Sequence, residues 1–482
     1  MRAFIASSIG VACAAAAALP LVLPTGVAAG ASAATASAPV PVTSSRLPGS
    51  TQSLPLVPLT QPGATPAPGP SGPPDEGVSL GLPAREVEPF SLLGVVWNDP
   101  EEELHGRVQV RTRAAGTGAW SSWQDLETHA DLPDPDSDER GGGALRGATA
   151  PLWVGDSDGV QVRVLPEESA DSGRTAELPE GLRLDLVNPG EDPADDLTPQ
   201  ARASSEANAG LAPVGSHEIP ALDREASQAD LSETGTGQNP EQAEEAEQAG
   251  QPAEPAPDVT PSTLPADVPD TLPAGELNAA TLAPIGPRPS IVTRRGWGAD
   301  ESIRGSFLYT STVKAAFVHH TAGSNSYSCS EAPAIIRGIY RYHVKSNGWR
   351  DVGYNFFVDK CGKIYEGRAG GVAKPVMGAH TYGFNANSTG IAVLGTYNST
   401  NPSGAAVNAV SRLVAWKLGL HGVNPKGTAV LTSGGGKYAK GTKVRFNTVS
   451  GHRDGYVTGC PGDRLYAKLG TIRNNAARLQ GR

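Results

Sequence analysis

Residues 314–322 read KAAFVHHTA, an apolar run that leads directly into the pair His319-His320. Strand-like runs of similar texture recur at 354–359 (YNFFVD), 363–368 (KIYEGR) and 390–397 (GIAVLGTY). Between the first two runs, Ile335, Ile336, Ile339, Tyr340 and Val344 repeat with a helical period. Further helical patterns occupy 404–420 (GAAVNAVSRLVAWKLGL) and 462–479 (GDRLYAKLGTIRNNAARL). Strands that alternate with helices pack as a sheet covered by helices, because each element has an apolar face to bury. Residues 287–482 are therefore predicted to form an α/β domain, a mixed sheet with flanking helices.

The texture changes upstream. Residues 191–286 are Ala, Pro, Glu, Asp and Gln with hardly an aromatic, as in EQAEEAEQAGQPAEPAP at 241–257. Such a stretch buries too little apolar surface to offset backbone ordering, which predicts an acidic disordered linker. Residues 78–190 instead alternate, with Val108, Val110 and Thr112 set against Arg107, Gln109 and Arg111, and similar series at Val160, Val162, Val164 and Leu182, Leu184, Leu186. Period two marks half-buried strands, so a separate all-β module is predicted, a sandwich or small barrel. Residues 39–77 are a Pro/Ser/Thr-rich flexible segment. Ahead of them, Arg2, the apolar run 9–23 and the small residues Ala31-Ser32-Ala33 and Ala36-Ser37-Ala38 have the layout of a signal peptide, assigned to 1–38.

With 38% hydrophobic and 5% aromatic residues, the 482-residue chain cannot be one packed unit. Charge is divided unevenly: residues 287–482 carry 26 Lys and Arg against 8 Asp and Glu, net +18, and the rest carries 13 against 42, net -29. The basic half attracts polyanions, and export makes anionic wall polymers the expected partners, with no nucleic acid. Past the signal peptide no run is apolar for the roughly 18–20 residues of a membrane span, so no integral membrane association is expected. Export also leaves Cys329, Cys361 and Cys460 in an oxidising setting once Cys13 is removed. Three is odd: either one thiol stays free, or two pair and the third has other work.

Gly451-His452-Arg453-Asp454 precedes Thr458-Gly459-Cys460-Pro461. His319, His452 and Cys460 together offer two imidazoles and a thiolate, which leave one corner of a tetrahedral zinc open, as catalytic sites do. The surrounding blocks are VHHTA at 318–322, GWRDVGYNF at 348–356, IYEGR at 364–368, GAH at 378–380, NSTGIAVLG at 387–395, and GHRD and CPGD at 451–454 and 460–463. In this order they resemble the zinc-dependent N-acetylmuramoyl-L-alanine amidases, the type 2 amidase family that includes the peptidoglycan recognition proteins, in an actinobacterial-like secreted form. The resemblance covers 287–482.

That resemblance implies a secreted, cell-wall peptidoglycan hydrolase that uses Zn2+ and water to cut the amide between N-acetylmuramic acid and the L-alanine of the stem peptide. It implies His319, His452 and Cys460 as metal ligands and Tyr354 as the active-site tyrosine. Thr458 stands where some relatives carry a catalytic lysine, and brings a hydroxyl without the charge. Recognition-only relatives commonly replace the cysteine with serine, so intact Cys460 implies an enzyme over the alternative, a non-catalytic peptidoglycan-binding protein. A zinc peptidase ranks below both for want of a His-Glu-x-x-His helix. With Cys460 given to the metal, Cys329 and Cys361 are left to form a disulfide.

The resemblance also implies His380 on the rim of a muropeptide groove. Arg368, whose fork suits a stem carboxylate, Asn385 and Trp349 are further substrate-binding candidates. Structural roles are expected for His320, which alternates to the other face of its strand, for His343 on the amphipathic helix and for His421 at a helix end. Residues 431–448 read as an inserted hairpin near the site. In the β module, Trp120 and Trp123 are candidates to stack on sugar rings, although packing is the commoner use of Trp in small β domains. The acidic linker is expected to fold over the basic domain and restrain it.

Overall fold

The computed structural model describes residues 49–59, 79–128, 133, 134, 139, 145–168, 175–191, 197–234 and 284–482. The predicted signal peptide lies outside the described residues, as do 60–78 of the flexible segment and 235–283 of the predicted linker.

In the β module, β1 (Ser50–Pro55), β2 (Val57–Pro58), β3 (Leu80–Trp97), β4 (Gly106–Ala114), β5 (Gln124–Leu126), β6 (Gly147–Ala148), β7 (Leu152–Pro166) and β8 (Arg183–Asn188) belong to one antiparallel sheet. Its order is β1-β8-β3-β7-β4-β5, with β2 and β6 added along β3. The long pair β3–β7 shifts register between Leu82 and Arg85 and again between Glu86 and Leu92. Such irregularities bend a strand and raise its twist. One bent sheet thereby wraps a core that includes Phe90, Leu93, Val95, Val110, Val162, Leu184 and Leu186.

Alternation along β3 then serves two cores. Leu93, Val95 and Trp97 face the module's interior, while Leu92 and Val96 join Trp153, Val187, Trp297, Ile335, Ile336, Ile339 and Tyr342 in a second cluster shared with the C-terminal domain. Between them sits Gly94, where a Cβ would fall 2.1 Å from the Tyr342 hydroxyl. Only glycine lets that hydroxyl reach the carbonyls of Thr149 (3.2 Å) and Val95 (3.5 Å). Within the module Arg111 lies 5.3 Å over each of the Trp120 and Trp123 rings and Arg163 lies 4.3 Å over Trp123, while Trp120 stays exposed.

Two expectations are corrected here. Part of the predicted flexible segment is strand: β1 pairs with β8 and packs Leu54 on the module core. Its Pro55 sits on an edge strand, where a missing N–H is tolerated, so the Pro-rich texture was no bar. Part of the predicted linker is also folded, as α1 (Pro199–Glu206), β9 (Glu218–Ile219) and α2 (Arg224–Thr234). Thr198 caps α1 by accepting the Ala201 N–H, and Leu211, Ala212 and Ile219 are buried in the core of the C-terminal domain. A few apolar residues and one cap suffice locally, and an averaged composition hides them.

The C-terminal domain adds β10 (Ile291–Val292), β11 (Ala315–His320), α3 (Ala332–Arg341), β12 (Phe356–Val358), β13 (Ile364–Glu366), β14 (Ser388–Val393), α4 (Gly404–Leu420), β15 (Thr428–Thr432), β16 (Lys443–Asn447), β17 (Val449–Gly451), α5 (His452–Gly455), α6 (Asp463–Tyr466) and α7 (Leu469–Leu479). Its mixed sheet runs β17-β11-β14-β12-β13-β10-β9, with β11 parallel to both β14 and β17 and β12 antiparallel to β13. Ile391 and Val393 face α4, while Ala392 and Leu394 face α3 and the module. Cys329 and Cys361 form a disulfide across 32 residues. Within 431–448, Leu431 and Thr432 of β15 pair with Val444 and Lys443 of β16 in an antiparallel hairpin.

Candidate metal centre

Because β11 lies between two parallel neighbours, the carboxyl ends of β11, β14 and β17 open on one edge of the sheet, the usual place for a site in such sheets. His319 lies next to last in β11 on the face opposite Val318, and His452 opens α5 directly after β17. Cys460 returns from the following loop through a cis bond to Pro461. One ligand atom from each of these three buried residues lies within 4.8 Å of the others.

His319 Nδ1 faces Cys460 Sγ at 3.8 Å, and its Nε2 faces Thr381 Oγ1 at 3.5 Å. One ring nitrogen is thus turned to the cluster and the other to a hydroxyl, as a metal-bound imidazole requires. The His320 N–H donates to Cys460 Sγ at 3.4 Å, an interaction that favours the thiolate. Burial, followed by the neighbouring imidazoles, holds both His319 and His452 well below the ordinary histidine range. Both rings are therefore neutral with lone pairs to give. Two neutral nitrogens and a sulfur suit a borderline-soft ion such as zinc, so this group could hold a metal.

Tyr354 packs its ring 5.3 Å from His319 and 5.8 Å from His343. Thr458 Oγ1 accepts the Cys460 N–H at 3.1 Å. Trp349 lies 4.4 Å from the His343 ring, and its buried Nε1 has no acceptor among the described residues. With His452 and Cys460, Tyr354 and Trp349 line a cavity of about 20 Å³ that Glu127, Thr149, Ala150 and Pro151 of the β module close on one side. That is room for about one water.

His380 is not on a rim. It is fully buried, 5.3 Å edge-on behind His319, with its Nδ1 3.0 Å from Thr381 Oγ1. A Cβ at Gly390 would fall 2.4 Å from its ring, so a glycine in β14 makes the pocket for this imidazole, and burial lowers its pKa to about 3. Asn385 is also fully buried: its Oδ1 accepts the His380 and Thr381 N–H groups, and its Nδ2 donates to Asp134 at 2.8 Å. Arg368 is 4% exposed and grips Glu139 with two bonds of 2.8 Å. His320 accepts the Tyr397 N–H at Nδ1 (3.2 Å), which leaves Nε2 to donate to Glu127 at 3.0 Å. His343 accepts the Gly353 N–H (3.1 Å) and lines the cavity at Cys460, nearer the cluster than expected of a purely structural residue. His421 meets Thr312 at 3.2 Å.

Sequence reasoning missed Glu127, Asp134 and Glu139. Nothing local distinguishes them from other acids of the module; the only available signal was the charge difference between the two halves.

Residues 309–463 match the N-acetylmuramoyl-L-alanine amidase family, and residues 41–181 match a family described as Rv3811 N-terminal galactose-binding domain-like. Peptidoglycan-recognition protein SC2 of Drosophila simulans is 31% identical over 187 residues, 38% of this chain and 87% of that protein. Peptidoglycan recognition protein 1 of Bos indicus is 33% identical over 178 residues, 37% of this chain and 80% of that protein. The solved structure of wild-type Drosophila PGRP-LB shares 25% identity over 38% of this chain and 92% of its own, with a TM-score of 0.31. A two-domain protein with a type 2 amidase domain is thereby defined. The chain belongs to the peptidoglycan-recognition protein family.

Proposed function

We propose that this protein is an exported, cell-wall peptidoglycan hydrolase that cleaves the amide between N-acetylmuramic acid and L-alanine. The observation that carries the reading is the convergence of His319, His452 and intact Cys460 within 4.8 Å. The disulfide supports export, since such bonds persist in oxidising compartments. No described helix is long and apolar enough to cross a membrane.

His319, His452 and Cys460 would hold the ion. A bound zinc would supply a Lewis acid for the amide carbonyl and water activated near neutral pH. The chain's own residues do the rest. Thr381 orients the His319 ring, and the His320 N–H keeps negative charge on Cys460. Tyr354, at the edge of the cluster, is the donor for the oxygen that gains charge as the amide is attacked, and excludes water from that side. Thr458 fixes the Cys460 backbone through its oxygen and keeps its hydroxyl proton for substrate or water. Substrate contacts fall to Arg368, Asn385 and Trp349. His380 acts from behind through Thr381, as a positioning residue.

The test is to incubate the protein with purified sacculi and follow new amino termini with and without chelator. Metal-dependent release of N-terminal L-alanine is expected. Binding to sacculi with no new amino termini at any metal level would leave the alternative, a protein that holds muropeptide without cutting it.

A further inference from the structure

Three carboxylates of the β module accept hydrogen bonds from the basic domain. Glu139, 3% exposed, lies against Arg368, and its Oε1 also accepts the Arg350 N–H at 3.0 Å. Asp134 accepts from Gly383 N (2.6 Å) and Asn385 Nδ2 (2.8 Å). Glu127 takes the bond from His320, beside Cys460. All three come from one stretch of chain, and all three end on donors of the opposite domain.

At Arg368 the occupation is complete. Its five N–H groups go to Val352 O, twice to Glu139, to Met377 O and to Asp351 O, so none is left for an incoming anion. Next to the metal ligands, the cavity walled by Glu127, Thr149, Ala150 and Pro151 has about 20 Å³, against the roughly 300–1,000 Å³ of a pocket that takes a ligand of drug size. The acids responsible belong to the module. The folded part of the predicted linker instead engages Glu366 and the Val372 N–H through Asn208, and none of its residues lines this cavity.

We propose that the β module is an intramolecular competitor of the substrate: Glu139, Asp134 and Glu127 occupy the donors a peptide carboxylate would use, and the resting protein is self-inhibited. This rests on Arg368 and Asn385 being substrate contacts, as proposed above. A tethered competitor acts at an effective concentration of the order of millimolar, so a free ligand must be abundant or multiply attached to displace it. The exchange suits a ligand bearing its own carboxylate. Arg368 is buried, and leaving it unpaired is costly, whereas one carboxylate for another keeps it neutralised throughout.

The experiment uses the full chain loaded with zinc, as wild type, Glu139→Ala, Asp134→Ala and the double variant, each checked for a cooperative thermal transition. A soluble muropeptide with free stem carboxylates is titrated by calorimetry, and amino-terminus release from sacculi is followed in parallel. Either folded single variant should bind the muropeptide at least about tenfold more tightly than wild type, with the double variant tighter still. If Glu139→Ala does not fold, Asp134→Ala carries the test alone. Binding no tighter than wild type in the folded variants overturns the proposal, and does so whether or not wild type hydrolyses sacculi. Tighter binding without hydrolysis in any variant supports the competitor and sinks the amidase reading instead.

Discussion

The metal cluster and the Arg368 site are filled by different means. At the first, His319, His452 and Cys460 turn toward each other from segments of a single domain, neutral rings and a sulfur with no carboxylate among them. At the second, the cation of Arg368 is met by Glu139, 229 residues away in sequence and in the other domain. Buried neutral imidazoles can wait for an ion, but a buried guanidinium needs a counter-charge at all times. The chain supplies that charge itself when no ligand does. The metal cluster is thus built to accept something, and the arginine site must first give something up.

Breaking the metal cluster should have the largest effect. Cys460→Ala is expected to abolish zinc retention and amino-terminus release, since even outer-shell partners cost about 10- to 100-fold in metal affinity. Competition with a chromogenic chelator measures it, and binding to sacculi should partly survive. Tyr354→Phe should keep the metal and slow hydrolysis by about 10²- to 10³-fold, as loss of one transition-state donor does. Steady-state rates at equal zinc occupancy are the check, and an unchanged rate would remove Tyr354 from the chemistry.

Loosening the contact between the domains should have a smaller effect and leave the metal alone. Tyr342→Phe takes a donor from the Thr149 and Val95 carbonyls at the buried contact, and is expected to cost about 1–2 kcal/mol in urea unfolding with zinc affinity unchanged. The broadest effect is that of pH on the metal-free protein. Burial lowers His343, His380 and His421 to about 3 from an ordinary 6.5. The unfolded chain therefore takes up protons that the folded one refuses, and their contribution is present above pH 6.5 and lost as pH falls toward 3. Glu366 works the other way: burial raises it to about 7 from 4.5, so the folded protein binds that proton more readily and gains stability as pH falls from 7 to 4.5. With three histidines against one glutamate, the urea midpoint should drop between pH 7 and pH 4, and a flat or rising midpoint would contradict these shifts.

Much of the α/β domain was legible because its strands and helices carry strong, local periodicity. The run 315–318 reads as a strand, and 335–344 as a helix, from a few consecutive side chains. The candidate ligands could be named from residue type, since few side chains bind zinc. Segments 50–58 and 197–234 were misread because their stabilising contacts lie elsewhere in the chain, and Pro-rich or acidic composition conceals a short edge strand or a capped helix. His380 was misplaced for a related reason: its burial depends on Gly390, across the sheet, making room for a ring.

By itself, the sequence determined the division into a basic α/β domain and an acidic β module, and which side chains were chemically fit to hold a metal. Tertiary structure alone decided that those side chains meet within 4.8 Å, and that Glu139 rather than solvent faces Arg368. The physical reason is range. Periodicity and ligand chemistry belong to neighbouring residues or to single side chains, but the pairing of two buried charges depends on which surfaces the folded domains press together.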